Sequence, residues 1–251
     1  MDVEATVKIV QEGLEKGDVT IISILVAVAV VLLTILILAC RGGSNKRRGV
    51  LLLGICDAGK TLLFNQLVFK KFVETCTSMK INAGSYQVPS NGKKLQVTDI
   101  PGHERLRSKI LDEQKSLARG IIYVVDSVGI QKELKDVAEF LYNALTDKVV
   151  SNNCPPILVA CNKQDRMRSK GAKVVQEMLE KEMNTVRKTK SAALLSTDET
   201  GNNNAFLGKP GKDFSFSDIK PFRVEFVECS ALGESGECQI NEVESWLQKI
   251  A

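Results

Sequence analysis

The feature that most constrains this chain is an apolar run that stops at a glycine. Val50, Leu51, Leu52 and Leu53 lead into Gly54-Ile55-Cys56-Asp57-Ala58-Gly59-Lys60-Thr61. Such a run bounded by glycine reads as a strand buried on both faces. A helix-forming stretch, Leu62 to Phe69, follows it. Strand, Gly-x-x-x-x-Gly-Lys-Thr and helix is the context in which a backbone loop wraps phosphate groups. Gly54 and Gly59 let the chain turn tightly and come close to a ligand. The N–H groups from Asp57 and Ala58 through Gly59, Lys60, Thr61 and Leu62 then face the anion at the mouth of the helix. Lys60 would set its ammonium between the β- and γ-phosphates, and Thr61 would offer a hydroxyl to Mg²⁺.

The 251-residue chain divides by composition on either side of this loop. Residues 1–18 are polar and mildly acidic, with five Asp/Glu against two Lys. Val19 to Cys40 then runs 22 residues without a charge. As a helix at 1.5 Å per residue that is roughly 33 Å, the thickness of a hydrocarbon core. A cleaved signal peptide would have a basic flank and a shorter apolar stretch, so a single transmembrane helix over 19–40 is expected. Arg41, Lys46, Arg47 and Arg48 follow, with no acid among residues 41–48. Positive charge prefers the cytoplasmic side. Residues 1–18 are therefore expected in the lumen or exterior, 41–48 as a basic linker, and 49–251 as a cytosolic domain.

That domain alternates strand and helix patterns. Val50–Ile55, Leu95–Ile100, Ile121–Asp126, Ile157–Asn162 and Arg223–Cys229 are short apolar runs, and Tyr86–Val88 adds a short edge strand. Apolar residues at helical spacing lie between them, for example Leu134, Val137, Ala138, Leu141 and Leu145. Repeated β-α units predict an α/β fold: an open, doubly wound, mostly parallel sheet with ligands at the strands' C-terminal ends. Residues 184–221 break the pattern. They are polar and rich in Gly, Ser, Thr and Asn, and read as an insertion that Phe214 and Phe216 pin back onto the domain.

Charge and cysteine usage narrow the chemistry. With 34 basic and 30 acidic residues the chain gives no general case for direct nucleic-acid binding. The seven cysteines show no Cys-x-x-Cys pair and His103 is the single histidine. Reduced thiols and no zinc site are expected.

Three further motifs follow the loop in order. Asp99-Ile100-Pro101-Gly102 ends the second long strand. Asp99 there can hold Mg²⁺, and the Gly102 N–H can meet a γ-phosphate. Asn162-Lys163-Gln164-Asp165 follows another strand. The Asp165 carboxylate suits the paired N–H donors of guanine. Asn162 can bond the base and tie its loop to the phosphate loop, and the Lys163 stem can lie along the base plane. Adenine would leave a buried acceptor unpaired, at about 1–3 kcal/mol, so GTP/GDP is favoured over ATP. Last come Ser230 and Ala231 after the final strand, with the Ala231 N–H placed for the guanine carbonyl.

Together these motifs resemble a small Ras-like GTPase over about residues 49–251. The Gly54–Phe64 and Asp99–Arg107 stretches, with an N-terminal span and a polar insertion before the last strand, resemble the β-subunit family of the signal recognition particle receptor. The resemblance implies an endoplasmic reticulum membrane protein with GTP/GDP and Mg²⁺ as cofactors. It implies that the GTP state binds the N-terminal domain of the receptor's α subunit for cotranslational targeting, near the ribosome or translocon. An Arf/Sar-like coat recruiter and a GTP-bound structural anchor with negligible hydrolysis stand as alternatives.

In this family setting the second switch spans Asp99 to about Lys109 and the first lies in Thr75–Lys80. Thr77 is favoured over Ser78 to complete the Mg²⁺ shell. His103 stands where many Ras-like enzymes carry a water-positioning Gln; it either acts as that catalytic group or packs in the switch. With no arginine finger assigned, roughly 10³–10⁵ of rate is missing and hydrolysis is expected to be slow.

Overall fold

The computed structural model describes residues 23, 26–31, 33–34, 47–195, 207–209, 211–232 and 238–251. They fall into two units, Met1–Lys46 and Arg47–Ala251. In the first, the described residues are helical and Val26, Val28, Val30, Val31 and Leu33 are exposed. Among the described residues no helix is long and apolar enough to cross a membrane. Residues 1–18 and 41–46, and much of 19–40, lie outside the described residues.

The second unit is one six-stranded sheet in the order β2-β3-β1-β4-β5-β6. Its strands are β1 (Gly49–Leu53), β2 (Asn82–Gln87), β3 (Lys94–Asp99), β4 (Ala118–Asp126), β5 (Ile157–Asn162) and β6 (Val224–Glu228). β2 pairs antiparallel with β3, and every other pair is parallel. The expected edge strand at Tyr86–Val88 is longer and starts earlier, at Asn82. It carries Ser, Gln and Gly on a half-exposed edge, where the apolar signal is weak.

Among the described residues of this unit five helices lie between strands and a sixth follows the last: α1 (Lys60–Phe69), α2 (Glu104–Gln114), α3 (Ile130–Thr146), α4 (Lys148–Asn153), α5 (Ala172–Leu195) and α6 (Asn241–Ile250). The doubly wound arrangement is visible residue by residue. Leu51 and Leu53 of β1 pack with Tyr123, Val159, α3 and α5 on one face of the sheet. Val50 and Leu52 pack with Val124, Leu158, α1 and α6 on the other. A strand buried on both faces must be apolar at every position, which is why β1 shows no alternation. Each of its fully buried leucines contributes about 1.5–3 kcal/mol.

From β1 the chain crosses to β3 on one side and later to β4 on the other. The crevice beyond the C-terminal end of β1 is therefore the topological switch point, where ligands settle in such sheets. The loop 54–59 occupies it.

Both ends of the polar segment 184–221 are built into the fold. α5 continues through Asn184 to Leu195, and residues 196–206 lie outside the described residues. Phe214 and Phe216 are buried, meet edge to face at 5.1 Å, and Phe216 meets Phe226 of β6 at 5.1 Å. The buried Arg187 of α5 donates to the carbonyls of Leu207 and Lys212 at 3.2 and 2.6 Å. Sequence patterning supplied the two phenylalanines but not this arginine.

Candidate nucleotide-binding site

The loop after β1 is shaped by left-handed residues: Gly54, Asp57 and Gly59 have φ of 141°, 59° and 89°. Gly54 also passes under β4, where a Cβ would lie 2.4 Å from the Val124 carbonyl. Gly59 caps α1, whose first turn carries no acidic residue and no side-chain cap. The free N–H groups and positive end of the helix dipole are thus left open to an anion.

Lys60 is buried and donates to the Ile55 carbonyl at 2.6 Å, across its own loop. Burial pushes its ammonium down from the ordinary lysine range, while the Asp99 carboxylate pulls it up. Thr61 Oγ1 donates to Asp99 Oδ2 at 2.8 Å and lies 3.1 Å from Ser78 Oγ. Asn82 Nδ2 donates to the same Asp99 oxygen at 3.2 Å. Burial pushes the Asp99 carboxyl up, against the hydrogen bonds from Thr61 and Asn82. The other oxygen, Asp99 Oδ1, is buried without a hydrogen-bond partner among the described residues.

This orphaned oxygen beside two hydroxyls tests the expected metal. A hard, oxygen-seeking cation such as Mg²⁺ suits one carboxylate plus hydroxyls, with the remaining positions left to water and phosphate. Among the described residues no cluster of three or more His, Cys, Asp or Glu is placed to hold a metal, so a cation here would lean on the nucleotide. In the segment Thr75–Lys80 it is Ser78 that reaches the Thr61–Asp99 pair; Thr77 is exposed and lines the same cavity.

Asn162 bridges two loops. Its Nδ2 donates to the Ala58 carbonyl at 2.9 Å, and its Oδ1 accepts from the Ala231 N–H at 3.0 Å. Ser230 Oγ donates to Asp165 Oδ1, whose side chain is only 7 % exposed. Lys163, at φ 68°, pairs with Asp126 at 2.7 Å. Burial would raise the Asp126 carboxyl; the Lys163 ammonium and the N–H groups of Gly129 and Val128 outweigh it and hold the group low.

Two cavities adjoin here. One of about 480 Å³ is lined by Asn162, Lys163, Asp165, Ala231 and Leu232, with Asp126 and Arg166–Arg168 at its edge. The second, about 230 Å³, is lined by the loop 56–62, Thr75–Ser78 and Asp99–Gly102. Gly59, Leu62 and Lys163 border both. Such a pair accommodates a flat base beside a chain of anionic groups. Gly102 reaches the loop backbone so closely that a Cβ would lie 2.5 Å from the Cys56 nitrogen. His103 is exposed and lines neither cavity.

The match to known proteins decides the assignment. The family model described as "Signal recognition particle receptor beta subunit" matches residues 45–222. The chain belongs to the signal recognition particle receptor β-subunit family. It is 45% identical to the mouse signal recognition particle receptor subunit beta over 246 residues, covering 96% of this chain and 91% of the mouse protein. The Dictyostelium discoideum subunit beta is 32% identical, covering 80% of this chain and 70% of that protein. A solved structure of the mammalian SRP receptor matches with a TM-score of 0.72 and 47% identity, over 81% of this chain and all of that one.

Asp126, Val128, Cys56, Leu232 and Arg166–Arg168 border this family member's cavities without having been singled out in the sequence. Asp126 had a signal: a carboxylate at the C-terminal end of a predicted strand. The exposed 166–168 turn had none.

Proposed function

We propose that this chain is a membrane-anchored small GTPase whose GTP-bound state holds the signal recognition particle receptor α subunit at the endoplasmic reticulum. The observation that carries the nucleotide part is the pair of adjoining cavities, one ending on Asp165 and the other on Lys60 and Asp99. Relatives from Chaetomium thermophilum, 25% identical, are described as bound to GDP and to GDP with Mg.

In this assignment Asp165 accepts the guanine N–H donors, oriented by Ser230. The Lys163 stem and Ala231 bound the base. Asn162 acts through the loops it joins. Gly54 and Asp57 through Leu62 supply the phosphate cradle. Lys60 exchanges its bond to the Ile55 carbonyl for phosphate oxygens, regaining the counter-charge that burial denies it. Thr61, Asp99 and a first-switch hydroxyl would hold Mg²⁺, which would supply charge neutralisation to the phosphates. Ser78 is the hydroxyl nearest to hand, and Thr77 the neighbour one residue away. Gly102, packed on the loop, offers its N–H to the γ-phosphate, and the loss of that group releases the second switch. His103, exposed at the start of α2, is free to turn toward the γ-phosphate and position water.

The partner surface follows from the same segment. Phe72, Val73 and Met79 flank the cavity-lining Thr75–Ser78 and are 46–67 % exposed. Apolar side chains beside a phosphate-sensing loop suit a protein partner that reads the nucleotide state. The apolar stretch 19–40 is the proposed span, with residues 1–18 lumenal, 41–48 the linker, 49–251 the cytosolic GTPase domain and 184–221 its insertion.

The test is capture of the receptor α subunit by the full chain loaded with a non-hydrolysable GTP analogue or with GDP. Capture with the analogue alone is expected, and Lys60→Ala should lose nucleotide and partner together. Equal capture in both states would leave a structural anchor, and recovery of coat proteins would move the chain to the Arf/Sar branch. Single-turnover hydrolysis with and without the α subunit separates a cycling switch from an anchor.

A further inference from the structure

We propose that the end of the domain opposite the nucleotide cavities is a bilayer-facing surface for anionic phospholipid headgroups. The proposal rests on the assignment of 19–40 as a membrane span and asks more of it: how the domain sits on that membrane.

The chain's point of entry is built in. Arg47 Nη2 donates to Asn153 Oδ1 of α4 at 2.6 Å, and the Arg48 carbonyl accepts from the Gln96 N–H at 2.8 Å. The folded unit therefore reaches back to Arg47, two residues into the basic linker, and only six residues, 41–46, separate it from the proposed span. Fully extended they reach at most about 20 Å. Whatever lies around Arg47 is held within that distance of the headgroups.

Parallel pairing decides what lies there. Gly49 is level with Gln96 and Ala118, Ile121 with Ile157, and Ile157 with Val224. The N-terminal ends of β1, β3, β4, β5 and β6 thus share one end of the sheet. On the segments entering them stand the exposed Arg48, Lys94, Lys148, Lys220 and Arg223. In their midst Leu117 is 56 % exposed, and a Cβ on Gly49 would lie 2.9 Å from its carbonyl oxygen. Of the carboxylates at this end, Asp112 and Asp147 share Lys115 and Glu225 pairs with Lys249, which leaves the exposed Glu113 of α2 against the five cations.

Exposed cations around an exposed leucine, fixed beside a short tether, match an anionic bilayer surface in both charge and polarity. Charges brought inside a Debye length, about 8 Å in physiological salt, feel that surface strongly. With this end down, the base and phosphate cavities at the strands' opposite ends open away from the membrane, toward a cytosolic partner.

A native reporter exists. Trp246, the chain's single tryptophan, packs over Gly120 near the start of β4. The full chain would be reconstituted in phosphatidylcholine vesicles, with or without phosphatidylserine, carrying a dansyl-labelled lipid. Energy transfer from Trp246 is expected to be about twofold larger with phosphatidylserine and to fall to the neutral-lipid level near 1 M salt, where the Debye length is about 3 Å. The combined Lys94→Glu, Lys220→Glu and Arg223→Glu variant should lose the gain and keep its GDP affinity. Equal transfer on both lipids from the unmodified chain would overturn the proposal, whatever the variant does. So would a variant that keeps its lipid gain while losing ribosome binding, which would make this a nucleic-acid surface. Alkaline carbonate extraction of the same vesicles reads the span separately. Release with the gain intact would sink the span alone, and retention without the gain would sink the lipid surface alone.

Discussion

Asn162 holds Ala58: its side-chain amide donates to the Ala58 carbonyl at 2.9 Å, inside the phosphate loop. The other end of the same amide accepts from the Ala231 N–H at 3.0 Å. The base-side loops and the phosphate loop are therefore one hydrogen-bonded unit. Asn162→Ala should leave two buried backbone groups unpaired, a loss of about 2–4 kcal/mol. Melting temperature and nucleotide affinity are expected to fall together, by calorimetry and fluorescent-GDP titration. Lost affinity with unchanged melting would instead mean that Asn162 mainly touches the base.

Asp99 makes the nucleotide-free domain pH-sensitive. Its folded pKa is raised above the ordinary 3.8 by burial. A raised carboxyl favours folding where it keeps its proton, and that contribution is lost as pH climbs through the folded value. When both are stripped of nucleotide, Asp99→Asn should therefore melt similarly to the unmodified chain near the ordinary carboxylate value and increasingly higher as pH rises toward neutrality. The same variant should lose the Mg²⁺-dependent slowing of GDP release. An identical pH profile for the two proteins would show that the carboxyl is not strained.

Asp165 accepts a hydrogen bond from the Ser230 hydroxyl, which fixes its carboxylate at the wall of the larger cavity. Asp165→Asn presents an amide in its place and should weaken GDP binding by about 2–3 kcal/mol while favouring xanthosine diphosphate. Competition titration with the two nucleotides reads the change. Preserved guanine preference would remove Asp165 from base recognition.

Gly102 has no room for a side chain, since a Cβ would sit 2.5 Å from the Cys56 nitrogen. Gly102→Ala should push the second switch off the phosphate loop. GDP affinity is expected to stay within about twofold, because GDP has no γ-phosphate for that N–H. Preference for the GTP analogue, and capture of the α subunit, should be lost. Nucleotide titration beside pull-down checks both halves.

Burial also separates the thiols. It pushes the Cys161 thiol up to about 12 and raises Cys229 as well, while Cys76 is exposed. Cys76 sits in the cavity-lining segment 75–78. An alkylating reagent should modify it first, and bound nucleotide should slow that reaction; peptide mass mapping follows it.

Sequence alone was enough for the strand–loop–helix around Lys60, the parallel α/β fold and the order of the four motifs. Each is a local pattern: apolar runs report burial on two faces, and glycine and lysine at fixed spacing report a loop that meets phosphate. Sequence was also enough to name Asp99 and Asn162, because each ends a strand at the sheet's C-terminal edge, and Asp165, because it stands three residues beyond Asn162 in the same loop. Tertiary structure alone decided what depends on residues far apart in the chain. It chose Ser78 as the hydroxyl beside Thr61, turned Asn162 toward Ala58 and Ala231, and brought Asp126 to Lys163. It also made Arg187 a buried fastening for Leu207 and Lys212, and gathered Arg48, Lys94 and Arg223 at one end of the sheet. Periodicity records which face of an element is buried; which distant polar group a side chain reaches is set only when the crossovers bring those elements together.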